Sequence, residues 1–266
     1  MTGAREKDGA PVTDDILVET DGPVLTVTFN RPRQRNAMTW AMYEELERAC
    51  ERADTDDAIR VMVLRGAGDK AFVAGTDIRQ FASFRTGADG LEYEQRIGAV
   101  LTRLQNVDVP TVAAIDGYCV GGGLGIASSA DIRIATPAAK FSVPIARTLG
   151  NCLAGVTLAL LTHQLGQPRA TSLLLTARMM LADEALTCGF VTEVTDDLDA
   201  ATAALTERLA GHAPLSMWAT KESVRRLRGA TTFDSTDIVD RVYGSDDFHN
   251  AVAAFTNKQR ATWTGH

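Results

Sequence analysis

The chain has 266 residues, 45% hydrophobic and 23% charged, with a formal net charge of −7. These are the proportions of a soluble globular protein that can bury a full core without disulfides or metal, as one large domain or two modest ones. The acidic balance argues against a general nucleic-acid binder, so an anionic ligand must be met by local basic residues. Cys50, Cys119, Cys152 and Cys188 are widely spaced, without a CxxC pair, and read as free thiols in a reducing compartment. No stretch nears the roughly 18 uninterrupted apolar residues of a membrane span, so no membrane partner is expected. Residues 1–13 are polar and read as a disordered tail rather than a targeting peptide, which leaves the cytoplasm as the default location.

In chain order, Val24-Leu25-Thr26-Val27-Thr28-Phe29 alternates and is β-rich, ending at Asn30-Arg31-Pro32, a strand followed by a turn. From Thr39 to Ala53, Trp40, Tyr43, Leu46, Ala49, Cys50 and Ala53 recur at helical spacing. Val61-Met62-Val63-Leu64 is a continuous apolar run and predicts a strand buried on both faces. Leu91 to Asn106 predicts a helix whose stripe is Leu91, Glu94, Ile97, Val100, Leu101 and Leu104, with the glutamate expected at the exposed start of that stripe. Thr111 to Ile115 and Ile132-Arg133-Ile134-Ala135 are further strands. Alternating strands and helices with short turns predict parallel pairing and right-handed crossovers. Beyond Leu153 strand signals nearly vanish and helical periodicity dominates, with breaks near Gly166-Gln167-Pro168, Gly189, Ala213-Pro214 and Gly229. The division expected is therefore a tail at 1–13, an α/β core at 14–190 and a helical C-terminal region at 191–266.

Two strand-to-helix turns carry the chemistry. One is Ala71-Phe72-Val73-Ala74-Gly75-Thr76-Asp77-Ile78; the other is Tyr118-Cys119-Val120-Gly121-Gly122-Gly123-Leu124-Gly125, with four glycines in five positions. Glycine serves where backbone must approach a ligand or adopt angles a Cβ forbids, and helix N-termini present unpaired N–H groups. The second turn thus suits a phosphate or a developing oxyanion, and a glycine cluster used only for packing stays open beside these. No Lys-Ser or Lys-Thr follows the glycines, which argues against a phosphate loop, and Ser128 stands where a dinucleotide G-x-G-x-x-G would end. Two N–H donors converging on one point would serve acyl-transfer or enolate chemistry.

Asn30-Arg31-Pro32 with Asn36-Ala37, the block Ala71 to Ile78, Gly117-Tyr118 with Gly121-Gly122-Gly123, Ala130-Asp131-Ile132-Arg133-Ile134-Ala135 and Ala139-Lys140-Phe141 together resemble the crotonase (enoyl-CoA hydratase/isomerase) superfamily in order and spacing. The resemblance runs from about Val24 to Phe255 and Lys258. It implies a spiral of four β-β-α turns with a helical C-terminal trimerisation region, assembled as a homotrimer or a dimer of trimers. It also implies an acyl-CoA thioester substrate, with coenzyme A as part of the substrate and no separate cofactor. The thioester carbonyl would be held by the backbone N–H groups of Thr76 and Gly122. Arg33, Arg35, Ala37, Ala74 and Arg79 match positions that meet CoA, and Phe255 and Lys258 match a C-terminal aromatic–lysine pair that reaches it. Arginine and lysine suit its phosphates and an aromatic ring its adenine.

Two positions depart from the hydratase pattern. The glutamates expected after the glycine triplet and after Phe-x-x-Pro are replaced by Gly125 and by Ile145, or by Ala146 if a one-residue insertion before Leu149-Gly150 shifts the match; none of these is a carboxylate. A glycine relays no proton through a side chain, so ordinary two-glutamate hydration is not expected. Arg147, two positions beyond the missing acid, reads as an anchor for a substrate carboxylate or a polariser of a leaving group, or else as a structural partner of Asp131. Asp77 is expected to cap its turn, and Glu92, Tyr93 and Glu94 to lie on a solvated helix face, or else, as the resemblance allows, in a lid-like region where other branches of the family place auxiliary acids or bases. His163, His212, His249 and His266 show no metal-ligand spacing, so no metal is expected. The expected function is stabilisation of a thioester enolate in isomerisation, decarboxylation, hydrolysis or C–C cleavage. The alternatives are a hydratase-type lyase with other groups and a non-catalytic CoA-thioester binder.

Overall fold

The computed structural model describes residues 14–212, 214–229 and 236–261; the expected tail and His266 lie outside them. Strands β1 (Ile16–Asp21) and β2 (Val24–Phe29) form an antiparallel hairpin, and helix α1 (Trp40–Thr55) follows, capped by the Thr39 hydroxyl accepting from Met42 N–H. Three pairs of strands then repeat one pattern: β3 (Val61–Gly66) with β4 (Ala71–Val73), β5 (Thr111–Ile115) with β6 (Tyr118–Val120), and β7 (Ile132–Ala135) with β8 (Lys140–Ser142). The first of each pair joins a large parallel sheet beside β2, and the second joins a small one. The pairs lead into α2 (Gly87–Gln105), α3 (Gly122–Ser129), and α4 (Ile145–Thr148) with α5 (Gly155–Leu165). This is the expected spiral of β-β-α turns.

The continuous apolar runs of β3 and β5 follow from burial on both faces. Met62 and Leu64 face the main core, with Phe29, Leu46 and Ile115. Val61 and Val63 face a second layer with Val112 and Ile134. That layer is covered by Leu205 of a later helix. The chain reaches it through α6 (Gln167–Thr176), β9 (Met180–Leu181), α7 (Ala182–Thr187), β10 (Glu193–Val194) and α8 (Leu198–Ala210), which carries Leu205.

The structure differs from expectation in several elements. The hairpin partner β1 is mostly exposed, and its Ile16-Leu17-Val18 start followed by Glu19-Thr20-Asp21 shows no alternation that would mark it as a strand. β9 and β10 are two-residue strands within the stretch that reads as helical, and β10 closes the large sheet just past the boundary expected at residue 190. Helix α2 starts at Gly87, because Thr86 and Asp89 form a reciprocal capping box that two first-turn glycines obscured.

The C-terminal helices α9 (Pro214–Gly229), α10 (Thr236–Tyr243) and α11 (Asp246–Thr256) fold back onto the core of the same chain. Lys221 of α9 donates to Val109 O (2.8 Å) and pairs with Asp131. Tyr243 and Phe248 join Phe81, Phe84 and Tyr93 in an aromatic cluster against α2. Arg133 of β7, buried, donates to Ala127 O (3.2 Å) and Ala130 O (2.7 Å) at the C-terminal end of α3, where a cation also complements the helix dipole. The N-terminal end of α3 is thereby held in place for the site.

Among the described residues no helix is long and apolar enough to cross a membrane.

Candidate active site

The turn after β4 holds Thr76 in a parallel bridge with Met38. Met38 N–H donates to Gly75 O (2.9 Å) and Asp77 N–H to Met38 O (2.8 Å), so the bridge uses the residues flanking Thr76. The Thr76 N–H therefore points to the opposite side, and it has no backbone acceptor among the described residues. The Thr76 hydroxyl is fixed between Tyr43 Oη (2.9 Å) and Tyr93 Oη (2.8 Å). Asp77 caps the next turn: its carboxylate accepts from Arg79 N–H and pairs with the Arg79 and Arg31 guanidiniums, which hold its pKa down to about 2, Arg79 first.

The second turn leaves β6 through Gly121, whose φ of 56° favours glycine. Gly121 N–H donates to Ser142 O (2.9 Å), and Gly122 opens α3 with an N–H that has no acceptor among the described residues. A Cβ built on Gly122 would lie 3.7 Å from Thr76 N and 2.7 Å from Tyr43 Oη, so the two turns stand side by side. Thr76, Gly122 and Gly125 help to line a cavity of about 230 Å³ beside these turns, and neither the Thr76 nor the Gly122 N–H has an acceptor among the described residues.

The sequence-predicted residues divide between this cavity and the surface. Ala74, Thr76, Gly122, Gly125, Ile145 and Phe255 line it, Phe255 from α11 of the same chain and 47% exposed. Arg33 and Arg35 are exposed on the turn after β2, with the Arg35 guanidinium 5.2 Å from the Tyr118 ring centroid. Arg35 O accepts from Ala74 N–H (3.0 Å) and Ala37 O from the Arg31 guanidinium, which ties that turn to the cavity wall. Arg79 is 75% exposed, and Lys258 is exposed just beyond α11. Arg147 is exposed on α4 and does not line the cavity, and Asp131, its alternative partner, is taken by Thr111 and Lys221.

The residue that sequence reasoning misplaced is Glu94. It is 4% exposed and lines the cavity, not a solvated face. Its Oε1 accepts from Tyr243 Oη (2.6 Å) and its Oε2 from Ala154 N–H (2.8 Å) at the start of α5. Burial pushes its pKa up to about 7, against the two hydrogen bonds, which favour the charged form. The signal was its place on the stripe: three residues before Ile97 and seven before Leu101, it shares the face that the helix buries. Tyr93, expected on the same solvated face, is also buried. Burial and the nearby Glu94 charge raise the Cys152 thiol to about 12, so it is not a thiolate nucleophile.

The arrangement combines two N–H donors fit for a developing negative charge with one carboxyl group whose proton affinity lies near neutrality. The family model for enoyl-CoA hydratase/isomerase matches residues 19–266. The short-chain-enoyl-CoA hydratase of Clostridium acetobutylicum is 30% identical over 254 residues, covering 93% of this chain and 96% of the relative. The (E)-benzylidenesuccinyl-CoA hydratase of Thauera aromatica is 36% identical over 78% of this chain and 81% of its own. A methylmalonyl-CoA decarboxylase, solved in complex with 2-nitronate-propionyl-CoA, superposes with a TM-score of 0.87 at 27% identity, covering 96% of this chain and 100% of that one. With the spiral fold and paired turns, these matches show that the chain belongs to the enoyl-CoA hydratase/isomerase family of enzymes, the crotonase superfamily.

Proposed function

We propose that the protein binds an acyl-CoA thioester, holds its carbonyl oxygen between the N–H groups of Thr76 and Gly122, and moves a proton at the α-carbon through Glu94. The observation that carries this reading is the pair of unpartnered N–H groups at the wall of a cavity that also holds a buried carboxyl group. Glu94 takes the α-proton, the electron pair moves toward the thioester oxygen, and the two N–H groups stabilise the charge that gathers there. Returning that proton to another carbon of the acyl chain completes an isomerisation, which needs one carboxyl and no co-reactant. Arg33, Arg35, Ala37, Ala74, Arg79, Phe255 and Lys258 are assigned to the CoA moiety, with the exposed basic side chains meeting its phosphates. Arg147, outside the cavity, has no part in the proton transfer.

Ordinary two-glutamate hydration is not the reaction proposed, because Gly125 and Ile145 line the cavity where the resemblance places carboxylates. The names of the hydratase relatives favour a second reading, in which Glu94 alone manages the water. One pair of assays decides between them. Butyryl-CoA in deuterated buffer is expected to gain deuterium at its α-carbon, read by mass spectrometry, while crotonyl-CoA keeps its enoyl absorbance. Fast loss of that absorbance would establish hydration instead. Absence of exchange together with tight CoA binding would leave a non-catalytic binder.

We infer a homotrimer or a dimer of trimers from the family resemblance. Sedimentation equilibrium is expected to give three or six times the mass of one chain, and a monomer would refute it.

A further inference from the structure

Three hydroxyl groups meet beside the two turns: Tyr43 Oη lies 2.9 Å from Thr76 Oγ1, which lies 2.8 Å from Tyr93 Oη. Each carries one proton, and the two contacts use two of the three. Burial decides which O–H is left without an acceptor among the described residues. Tyr43 is 1% exposed and Tyr93 8%, so an unpaired O–H on either would cost the desolvation of a buried donor. Thr76 is half-buried and lines the cavity. Chemistry points the same way, since a phenol is the stronger donor and an aliphatic hydroxyl the better acceptor, with two lone pairs for two bonds. Burial also raises the proton affinity of both phenols, so each keeps the proton it gives. Both tyrosines therefore donate to Thr76 Oγ1, and the Thr76 O–H is left over. A Cβ built on Gly122 would lie 3.4 Å from Thr76 Oγ1 and 3.7 Å from Thr76 N, so the hydroxyl and the N–H of Thr76 face the same neighbour. Trp40 packs on both tyrosine rings, at centroid distances of 6.0 Å and 5.7 Å, and steadies the cluster.

We propose that the Thr76 hydroxyl is a third donor to the thioester oxygen, beside the N–H groups of Thr76 and Gly122, with Tyr43 and Tyr93 as positioning residues that orient and polarise it. Two O–H groups donating to Oγ1 draw electron density from it and strengthen its own donation. The gain grows as charge gathers on the thioester oxygen, so it favours the enolate over the bound thioester. This inference rests on the acyl-CoA reading above and adds a side-chain donor to two backbone ones.

Thr76→Val keeps the N–H and the side-chain shape and loses the O–H. Its α-proton exchange of butyryl-CoA is expected to fall about 10²–10³-fold, the usual cost of one oxyanion donor, while the dissociation constant changes by less than about threefold. Thr76→Ser, which restores the O–H, should recover most of that loss. A second measurement uses acetoacetyl-CoA, whose enolate absorbs in the near ultraviolet. The pH at which the bound thioester ionises should rise by about one to two units in Thr76→Val, the worth of a hydrogen bond to a charged group. If the protein binds thioesters without exchange, this shift decides alone. Valine leaves two tyrosine hydroxyls without their acceptor. Should that variant not fold, Tyr43→Phe/Tyr93→Phe with and without Thr76→Val makes the same comparison with no hydroxyl orphaned, and the valine is again expected to cost about tenfold or more. Valine variants that match their threonine parents in exchange and ionisation would overturn the proposal and leave the two N–H groups standing. A loss in Tyr93→Phe as large as in Thr76→Val would also overturn it, because the free O–H would then belong to the tyrosine. If the unaltered protein neither binds butyryl-CoA nor exchanges its α-proton, the acyl-CoA reading falls and takes this role of Thr76 with it.

Discussion

Glu94→Gln is expected to fold and to slow α-proton exchange of butyryl-CoA by about 10²–10⁴-fold, the usual contribution of a positioned general base. Gln keeps the shape: its single oxygen accepts from Ala154 N–H and its amide N–H donates to the Tyr243 hydroxyl, which accepts in place of donating, so binding should survive while exchange is lost. Exchange within a factor of about two of the unaltered protein would remove Glu94 from the mechanism, since a positioned base contributes far more than that. The same variant reports on stability. Glu94 has a higher proton affinity in the folded state, near 7, than in the unfolded chain, near 4.5. Its contribution is therefore fully present below the unfolded value and is lost as pH rises through the folded one. The loss amounts to about 3 kcal/mol at roughly 1.4 kcal/mol per pKa unit. Denaturant titrations from pH 4 to pH 8 should show this decline in the unaltered protein relative to Glu94→Gln. Parallel profiles would mean that the carboxyl is not perturbed.

Gly122→Pro is expected to lower the same exchange by about 10²–10³-fold, the typical cost of removing one oxyanion donor. Proline is tolerated at the first position of a helix, so α3 can still form. The added ring atoms crowd Tyr43, whose hydroxyl would lie 2.7 Å from a new Cβ. Gly122→Ala is the control, since it adds the same Cβ and retains the N–H. A large deficit in the proline variant beside a small one in the alanine variant assigns the effect to the donor. Equal deficits would assign it to crowding and remove the Gly122 N–H from the mechanism.

Much of the framework was legible because each signal was local. Val61–Leu64 and Thr111–Ile115 are continuous apolar runs, and burial on both faces is what such runs mean. The glycines of the second turn point to close backbone approach, and the structure places Gly122 beside Thr76. Glu94 was harder, because its environment comes from distant chain: Tyr243 and Ala154 surround a carboxylate that helical periodicity alone treats as the end of a stripe. Arg147 failed in the opposite sense. Its neighbours are small and apolar, yet α4 is a single turn that directs Ile145 and Thr148 inward and leaves the arginine in solvent. The short strands β9 and β10 exist through pairing with β8 and β7 rather than through any propensity of two residues.

The hydrogen bond from Tyr243 to Glu94 spans 149 positions of sequence. Tyr243 sits over Gly90, where a Cβ would fall 1.8 Å from its ring, so α10 fills a notch in α2 that stays open until α10 arrives. On the ribosome, the turns that carry Thr76 and Gly122 and the helix that carries Glu94 emerge well before Tyr243. Through that interval Glu94 lacks the hydroxyl that donates to its Oε1 in the folded chain. The surroundings of Glu94 are therefore complete only when two segments far apart in sequence have packed together, a contact that costs loop-closure entropy before it forms.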